Sequence, residues 1–501
     1  MADYILALDQ GTTSTRAVAF NRAGVPVASH SVELKQYFPK PGWVEHDATE
    51  IWQAALACCR AVIGEVGLEN IAALGITNQR ETTVLWDKTT GNPIHNAIVW
   101  QDRRTADKCH ELEAEGWGEK VRARTGLLLD PYFSATKLAW LLDNVPDARA
   151  QAEKGALAFG TIESWLVWNL TGGAKHISDA TNAARTMIYD ISKQSWDTEL
   201  LARLNIPENL LPQIVDVSGE LAEVVPNVFG KALPITGLAG DQQAAAVGQA
   251  CFQPGTLKST YGTGCFVLVN TGEAKIASKH KLLTTSAYRL GDTHAYALEG
   301  SIFMAGAVMQ WLRDNLGLFE DTSETAVIAA SADPQSGVVL VPAFTGLGAP
   351  HWAPHARAAI LGLTRGAGKA EIIRAGLEAV AFQTYDLKAA IVQDLAQADL
   401  RLPDVLRVDG GMARNDWFLQ FLADILEMRI ERPPVTETTA LGVAYLAGLG
   451  AGLYSSFEEI AENWRCDAYF EPKMGADERN ARLETWVRAR DQVLAAAEGD
   501  L

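Results

Sequence analysis

A cluster of hydroxyl side chains and a glycine follows the first apolar stretch of the chain. It reads Asp9-Gln10-Gly11-Thr12-Thr13-Ser14, with Arg16 two positions later. Gly11 permits close approach to the backbone, and the hydroxyl residues offer O–H and N–H donors that can surround phosphate oxygens. Asp9 could hold a hydrated Mg²⁺ ion, and Arg16 could neutralise charge during phosphoryl transfer. An ordinary polar hairpin turn is the alternative interpretation.

Asp241 comes at the end of an apolar segment, residues 235–240, where an Ala-rich helix is predicted to begin. A carboxylate at this point in a cleft could accept the proton of an attacking hydroxyl group. Asp is also an effective residue at a helix N-terminus, where it binds free backbone N–H groups. The spacing is compatible with both roles.

Arg80 and Glu81 follow a predicted buried strand at residues 71–77 almost directly. A neighbouring cation and anion at this position indicate a polar cavity, and vicinal hydroxyl groups need both a donor and an acceptor. A solvated ion pair is the alternative. Three aromatic residues could enclose the carbon chain of a polyol, or simply fill the core. They are Trp100, Tyr132 and Phe266.

The second half of the chain repeats the opening pattern. Two predicted strands at residues 256–261 and 265–269 flank a turn that contains Thr263, and the repetition indicates two related domains facing a cleft. Coincidence is the alternative, because Gly-Thr turns are common. Further on, Gly411 and Asn415 follow a predicted strand at residues 406–409 and could contact a nucleotide base or phosphate. Gly306 and Gln310 could begin another helix at the nucleotide, or belong to ordinary core packing.

The predicted strands and helices that carry these residues indicate an α/β protein. Short apolar runs separated by turns over residues 4–34 predict an antiparallel meander. A helix is expected from Ile51 to Glu65 after a cap at residues 47–50, and another from Asp477 to Ala497. A boundary near residue 250 divides the chain into two domains of similar length.

The bulk composition favours a cytoplasmic enzyme that acts on small molecules. The chain has 501 residues, 48% hydrophobic residues and a formal net charge of -18, which opposes binding to nucleic acid or anionic membranes. Its six cysteines form no C-x-x-C pair, as expected for buried free thiols in a reducing compartment. The N-terminal residues resemble no signal peptide, and no apolar stretch approaches the length of a membrane span.

Eight segments in order along the chain resemble the FGGY family of carbohydrate kinases, within the actin-like ATPase superfamily. The resemblance spans nearly the whole chain and is closest to the members that phosphorylate glycerol. The segments are LDQGTTSTR (8–16), YFPKPGWVEHD (37–47), GITNQRETT (75–83), DPYFSATK (130–137), AGDQQAA (239–245), TYGTGCF (260–266), VPAFTGLGAPHW (341–352) and VDGG (408–411).

The resemblance implies two duplicated ribonuclease-H-like domains around a central cleft. Residues 1–250 would bind substrate and phosphates, and residues 251–501 would bind the nucleotide. The implied reaction is ATP-dependent phosphorylation of glycerol to sn-glycerol 3-phosphate, with ATP/ADP and Mg²⁺ as cofactors. A homo-oligomer, either a dimer or a tetramer, is expected, with no binding to nucleic acid and no membrane insertion.

Matching positions then receive the roles of the family motifs. Asp241 would be the general base and Asp9 the residue nearest Mg²⁺. The residues implied to contact the nucleotide and its phosphates are Thr12, Thr13, Ser14, Arg16, Thr263, Gly306, Gln310, Gly411 and Asn415. The residues implied to bind glycerol are Arg80, Glu81, Trp100, Tyr132, Asp241, Gln242 and Phe266.

Two other functions remain open from the sequence. A kinase of the same family could act on a ketopentose, erythritol or gluconate, although the NQRE and DPYF segments argue against it. An actin-like ATPase that serves as a chaperone or a filament-forming scaffold would leave Arg80 and Glu81 without a task.

Overall fold

Two mixed β-sheets, one in each half of the chain, form the framework of the molecule. The structure is a computed structural model and describes residues 3–498. The strands of the first half are β1 (Tyr4–Gln10), β2 (Ser14–Asn21), β3 (Pro26–Glu33), β4 (Glu45–His46), β5 (Ile71–Asn78), β6 (Val84–Asp87), β7 (Ala97–Ile98), β8 (Leu157–Gly160), β9 (Ile177–Asp179), β10 (Tyr189–Asp190), β11 (Ser195–Trp196), β12 (Gln213–Val215), β13 (Ser218–Val224) and β14 (Leu233–Gly240). The helices of the first half are α1 (Ala48–Val66), α2 (Ala106–Ala114), α3 (Trp117–Thr125), α4 (Ser134–Asn144), α5 (Ala148–Glu153), α6 (Ile162–Leu170), α7 (Ala180–Ala183), α8 (Thr198–Arg203), α9 (Pro226–Phe229) and α10 (Asp241–Gly248).

The second half is built in the same way. Its strands are β15 (Leu257–Tyr261), β16 (Cys265–Gly272), β17 (Leu283–Leu290), β18 (Thr293–Ile302), β19 (Val339–Val341), β20 (Ala359–Leu361), β21 (Val405–Asp409), β22 (Arg429–Arg432) and β23 (Ala468–Phe470). Its helices are α11 (Gly306–Asp314), α12 (Thr325–Ser331), α13 (Lys369–Leu395), α14 (Asp416–Leu426), α15 (Thr438–Gly450), α16 (Phe457–Ala461) and α17 (Ala476–Glu498).

Five strands of each main sheet share one order and one set of pairing directions. The first sheet has the order β13-β14-β5-β1-β2-β3 and the second has the order β17-β18-β16-β15-β21-β22-β23. The steps β14-β5-β1 and β22-β21-β15 are parallel, whereas β1-β2-β3 and β15-β16-β18 are antiparallel. This common pattern confirms the predicted two-domain α/β fold and the duplication that the strand-turn-strand repeat indicated.

The two sheets differ in what separates their parallel strands. Residues 79–232, between β5 and β14, hold eight helices and several short strands, including the two-stranded sheets β4-β7 and β6-β8 that involve this region. Residues 410–428, between β21 and β22, hold a short 3-10 helix and α14. The first half therefore carries a large additional layer on the common sheet.

Local sequence signals account for the elements at the start of the chain. The predicted meander is β1, β2 and β3, which pair antiparallel in sequence. Helix α1 begins after Asp47, whose carboxylate accepts a hydrogen bond from the backbone N–H of Thr49 at 2.7 Å. The predicted C-terminal helix is α17. All six cysteines are free, as expected, but the expected burial is wrong for Cys466, which is exposed.

Helix α15 belongs to the second half of the chain but packs on the sheet of the first half. Val443 and Ala447 lie in one apolar cluster with Ile5, Ala7 and other residues of the first sheet. A Cβ atom on Gly442 would stand 1.7 Å from the carbonyl oxygen of Ala244 in α10, so the backbones of α10 and α15 are in direct contact. The division of the chain at residue 250 stays a prediction, since a helix from the second half of the chain packs on the sheet of the first half.

Within residues 3–498 no helix is long and apolar enough to cross a membrane.

Candidate active site

The candidate acceptor residues emerge from one edge of the first sheet. Gln10 of β1, Asn78 of β5 and Gly240 of β14 stand level with one another in three neighbouring parallel strands. Because the carboxyl ends of parallel strands meet at the same edge, the segments that follow Gln10, Asn78 and Gly240 lie side by side. This arrangement brings the turn after β1, the Arg80 and Glu81 pair, and Asp241 to the same edge of the sheet.

Arg80 is the centre of the contacts at this edge. Its Nε group lies 3.0 Å from Oδ1 of Asp241, and the side chain of Arg80 is 1% exposed. The carboxylate of Asp241 is 30% exposed, so a ligand in the cleft can reach it. Gly240 occupies the N-cap of α10, and Asp241 is the first residue of the helix. The Oδ1 atom of Asp241 also accepts a hydrogen bond from the backbone N–H of Gln242 at 2.7 Å, so the carboxylate binds a free N–H at the helix N-terminus as well as Arg80.

Glu81 has an unusual backbone conformation for a residue with a side chain. Its φ angle is 61°, and the N–H of Thr82 donates to the carbonyl oxygen of Arg80 across it at 2.7 Å. Ser134 donates its hydroxyl to the carbonyl oxygen of Glu81 at 3.0 Å and helps to hold this turn. Strain of this kind is concentrated at binding and catalytic sites, where the surrounding structure maintains it.

Three aromatic rings from both halves of the chain meet beside these polar groups. The ring of Trp100 lies 5.6 Å from that of Tyr132 and 6.4 Å from that of Phe266, both in edge-to-face geometry. Trp100 also donates its indole N–H to the hydroxyl of Thr12 at 2.9 Å. The predicted aromatic wall is thus assembled, and Thr12 connects it to the first turn.

The turns of the two duplicated hairpins are the candidate phosphate-binding elements. Gly11 donates its backbone N–H to the carbonyl oxygen of Ser14 at 2.9 Å, which closes the first turn. In the second half, Gly306 donates to the carbonyl oxygen of Gly262 at 2.9 Å, and a Cβ atom on Gly306 would stand 2.6 Å from that oxygen. Thr263 and the start of α11 are consequently held together. Gln310 is exposed one turn further along α11.

Arg16 and Asn415 both have protein partners in this structure. Arg16 forms an ion pair with Glu437, the residue at the N-cap of α15. Asn415 caps α14 by accepting a hydrogen bond from the N–H of Phe418 at 3.0 Å, and it donates to the hydroxyl of Thr325 at 3.1 Å. Gly411 opens a short 3-10 helix, and there is free space where its Cβ atom would stand. Nucleotide contacts of these residues stay predictions.

Negative charge exceeds positive charge around Asp9 at the sheet edge. Burial, with further contributions from the neighbouring Asp241 and Glu437, raises the pKa of Asp9 to about 7, although Arg16 opposes the shift. Negative charge without enough positive charge is suited to a bound cation. No cluster of three or more metal-binding side chains occurs among residues 3–498.

Sequence reasoning missed several buried charged residues around the site. Lys258 on β15 donates to the side-chain oxygen of Gln242 and, at 2.9 Å, to the hydroxyl of Thr260. Burial lowers the pKa of Lys258, while Asp409 and two other acidic groups oppose that shift. Arg185 and Glu299 contact Glu81 and Arg80, respectively. Arg185 and Glu299 are charged residues next to apolar ones in the sequence, which was the available signal, since charged residues are almost never fully buried without a partner.

Known proteins with similar sequences cover the whole of this chain. Residues 4–248 match the N-terminal domain of the FGGY family of carbohydrate kinases, and residues 257–451 match the C-terminal domain of that family. A glycerol kinase of Alcanivorax borkumensis is 56% identical, covering 99% of each chain. Glycerol kinase 1 of Pseudomonas aeruginosa is 55% identical, covering 99% of this chain and 100% of its own.

A solved structure of similar fold carries the same name. The glycerol kinase of Plasmodium falciparum, whose crystal structure contains ADP, superimposes with a TM-score of 0.90 at 38% identity and covers 98% of each chain. The family domains, the identity over full length and the duplicated sheets agree with one another. The chain belongs to the FGGY family of carbohydrate kinases.

Proposed function

We propose that this chain transfers the γ-phosphoryl group of ATP to a terminal hydroxyl of glycerol, which yields sn-glycerol 3-phosphate and ADP. The observation that carries the proposal is the meeting of Arg80, Glu81 and Asp241 with three aromatic rings beside the turn after β1. The relatives named glycerol kinase, at up to 56% identity over nearly full length, support glycerol as the acceptor.

The acceptor site offers what a short polyol needs. Glu81 and Asp241 accept hydrogen bonds from hydroxyl groups, Arg80 donates to hydroxyl oxygens, and the amide of Gln242 can donate or accept. Trp100, whose ring stands edge-on to its two aromatic neighbours, packs against the carbon atoms. A buried site that satisfies each hydroxyl rejects an analogue lacking one, because the unpaired polar groups of the protein then remain desolvated.

Phosphoryl transfer asks the protein mainly for alignment and charge neutralisation, because the transition state is loose. The hydroxyl oxygen of glycerol forms a bond to the γ-phosphorus, and the bond from that phosphorus to the bridging oxygen of ADP breaks. Asp241 accepts the proton of the hydroxyl group. Thr12, Thr13, Ser14 and Arg16 contact the phosphates from the first half, and Thr263 and Gly306 do so from the second.

A Mg²⁺ ion fits the unbalanced negative charge at the sheet edge, with Asp9 as its nearest protein group. Mg²⁺ retains water and binds substrate phosphates through few protein carboxylates, which agrees with the donor set here. When bound with ATP, the ion supplies charge neutralisation on the phosphate oxygens. Asp9 would hold the hydrated ion, and Arg16, which pairs with Glu437 in the ligand-free structure, would contact the phosphates.

Purified enzyme incubated with ATP, Mg²⁺ and a panel of acceptors tests the proposal directly. The panel contains glycerol, dihydroxyacetone, xylulose, ribulose and gluconate, and the product is identified by enantioselective analysis. We expect the highest kcat/KM with glycerol and sn-glycerol 3-phosphate as product. A preference for a ketopentose would exclude glycerol as the main acceptor, and ATP turnover that no polyol changes would favour an ATPase without an acceptor.

The state of assembly and the cellular location stay predictions. A homo-oligomer, either a dimer or a tetramer, is expected from the family resemblance, and light scattering after size-exclusion chromatography measures it. A cytoplasmic location is expected from the composition, and cell fractionation measures it.

A further inference from the structure

Four buried charged side chains form a closed ring behind the acceptor site. Glu299 binds Arg80, with its Oε2 atom 2.6 Å from Nη1, and also Arg185, with its Oε1 atom 3.0 Å from Nη2. Arg185 in turn places its Nε 2.6 Å from Oε1 of Glu81, and the same oxygen lies 4.0 Å from Nε of Arg80. No side chain of the ring is more than 2% exposed, and the two positive and two negative charges alternate.

The ring joins the two halves of the chain. Arg80, Glu81 and Arg185 belong to the first half, whereas Glu299 projects from β18 in the second sheet. Gln243 of α10 adds a parallel link, because it accepts from Nη1 of Arg80 at 3.2 Å and donates to the carbonyl oxygen of Ser286 in β17 at 3.0 Å. The second half therefore fixes the orientation of a side chain that serves the acceptor site of the first.

The guanidinium of Arg80 contacts one carboxylate through its two Nη groups and another through its Nε group. Both Nη groups face the carboxylate of Glu299, with the second at 3.0 Å from Oε1, and Nε faces Asp241. Burial would raise the pKa of Glu299, but Arg185 and Arg80 outweigh burial and hold the pKa at about 2. Glu299 consequently stays ionised throughout the working pH range. Without it, two buried arginines would share Glu81, and Arg80 would be free to turn both Nη groups toward Asp241.

We propose that Glu299 is a positioning residue of the acceptor site, which holds Arg80 from the second domain and so makes glycerol affinity depend on the contact between the domains. The inference rests on the proposed glycerol kinase function. Glu299 does not touch the reacting atoms; it acts through Arg80 and, by way of Arg185, through Glu81. Loss of its charge or its reach should weaken glycerol binding selectively.

Two variants test this role. Glu299→Gln removes the charge, and Glu299→Asp keeps the charge balance of the ring but withdraws the carboxylate by one methylene group, which favours folding. We expect KM for glycerol to rise about 10- to 100-fold in Glu299→Gln and about 3- to 10-fold in Glu299→Asp, consistent with the cost of disturbing a buried charge pair. KM for ATP should change less than about 3-fold in both variants.

The matched control is Glu378→Gln, which also removes a buried carboxylate of the second half from its arginine partners, here Arg374 and Arg482. It should leave KM for glycerol unchanged. Unchanged KM for glycerol in Glu299→Asp, or an equal rise in both KM values, would overturn the inference and assign Glu299 a purely structural role. Wild-type enzyme is assayed first, so that absence of glycerol turnover, which refutes the proposed function, is distinguished from failure of the inference.

Discussion

Trp100 donates its indole N–H to the hydroxyl oxygen of Thr12 over 2.9 Å, and this contact connects the aromatic wall to the phosphate turn. One side chain of the acceptor site thus depends on a residue that is expected to contact phosphate. We therefore expect binding of either substrate to order a group that the other uses.

The contact of Trp100 with Thr12 should appear as an energetic coupling. Trp100→Phe keeps a ring and removes the N–H donor, and Thr12→Val removes the acceptor. Each should lower kcat/KM for glycerol, and the double variant should lose less than the sum, with a coupling of about 0.5–1.5 kcal/mol. Steady-state kinetics on the three variants and the wild type measure it. Strict additivity would show that the hydrogen bond has no influence on catalysis.

Asp241→Asn should lower kcat by roughly 10²–10⁴ and leave ADP binding largely intact, as expected for loss of a general base. Asn is itself a good residue at helix N-termini, so a structural role alone predicts nearly normal turnover. Initial-rate kinetics and calorimetric titration with ADP give the two measurements. Asp216→Asn, which removes a different carboxylate from its arginine partner, Arg289, is the control and should turn over normally.

Asp9 should make the ligand-free enzyme less stable as pH rises. Its pKa is about 7 in the folded state, against 3.8 for an unperturbed Asp, so the folded state binds the extra proton. The unfavourable contribution therefore grows from about pH 4 to about pH 7 and is constant above that range. Asp9→Asn should raise the free energy of unfolding at pH 8 by an amount on the order of 1–3 kcal/mol, and by less at pH 5. The Tm should rise accordingly.

Differential scanning calorimetry at the two pH values checks this sign. The same variant should lose most of its kinase activity, because it lacks the carboxylate proposed to lie nearest Mg²⁺. If Asp9→Asn were less stable than wild type at pH 8, the burial of an uncompensated charge at this edge would be refuted.

Gly442→Ala should destabilise the protein by about 3 kcal/mol or more. The new Cβ atom would stand 1.7 Å from the carbonyl oxygen of Ala244, so α10 and α15 would have to separate. Gly64→Ala in α1 is the matched control, since no atom lies within 4 Å of its Cβ position, and it should stabilise by roughly 0.4–1 kcal/mol. Urea unfolding of both variants measures the two effects, and equal values would argue against a tight contact at Gly442.

Much of the fold could be predicted from the sequence because its signals are local. Turn residues separate β1, β2 and β3, and Asp47 marks the start of α1. The location of α15 could not be predicted, because a helix that is apolar on all sides indicates burial without indicating which sheet covers it. Its contact with the first sheet joins residues that are remote in sequence.

The sequence indicated most residues of the candidate site, but it did not indicate which of them contact one another. The sequence analysis offered two roles for Asp241, at a helix N-terminus and as a general base; the carboxylate contacts both the N–H of Gln242 and Arg80, so its role as a base stays a prediction. Glu299 lies 219 positions from Arg80, and only the meeting of the two sheets brings them together. A pattern within one strand contains no information about such a partner.

The unequal segments between the parallel strands have an evolutionary consequence. Residues 79–232 contain Arg80, Glu81, Trp100 and Tyr132 of the proposed acceptor site, whereas the matching interval of the second sheet, residues 410–428, is short. On this assignment, acceptor specificity can change through substitutions in one inserted layer, while the duplicated hairpins that are proposed to bind the phosphates stay the same. An engineer who wishes to change the sugar alcohol used by this scaffold would vary that layer first and preserve both turns.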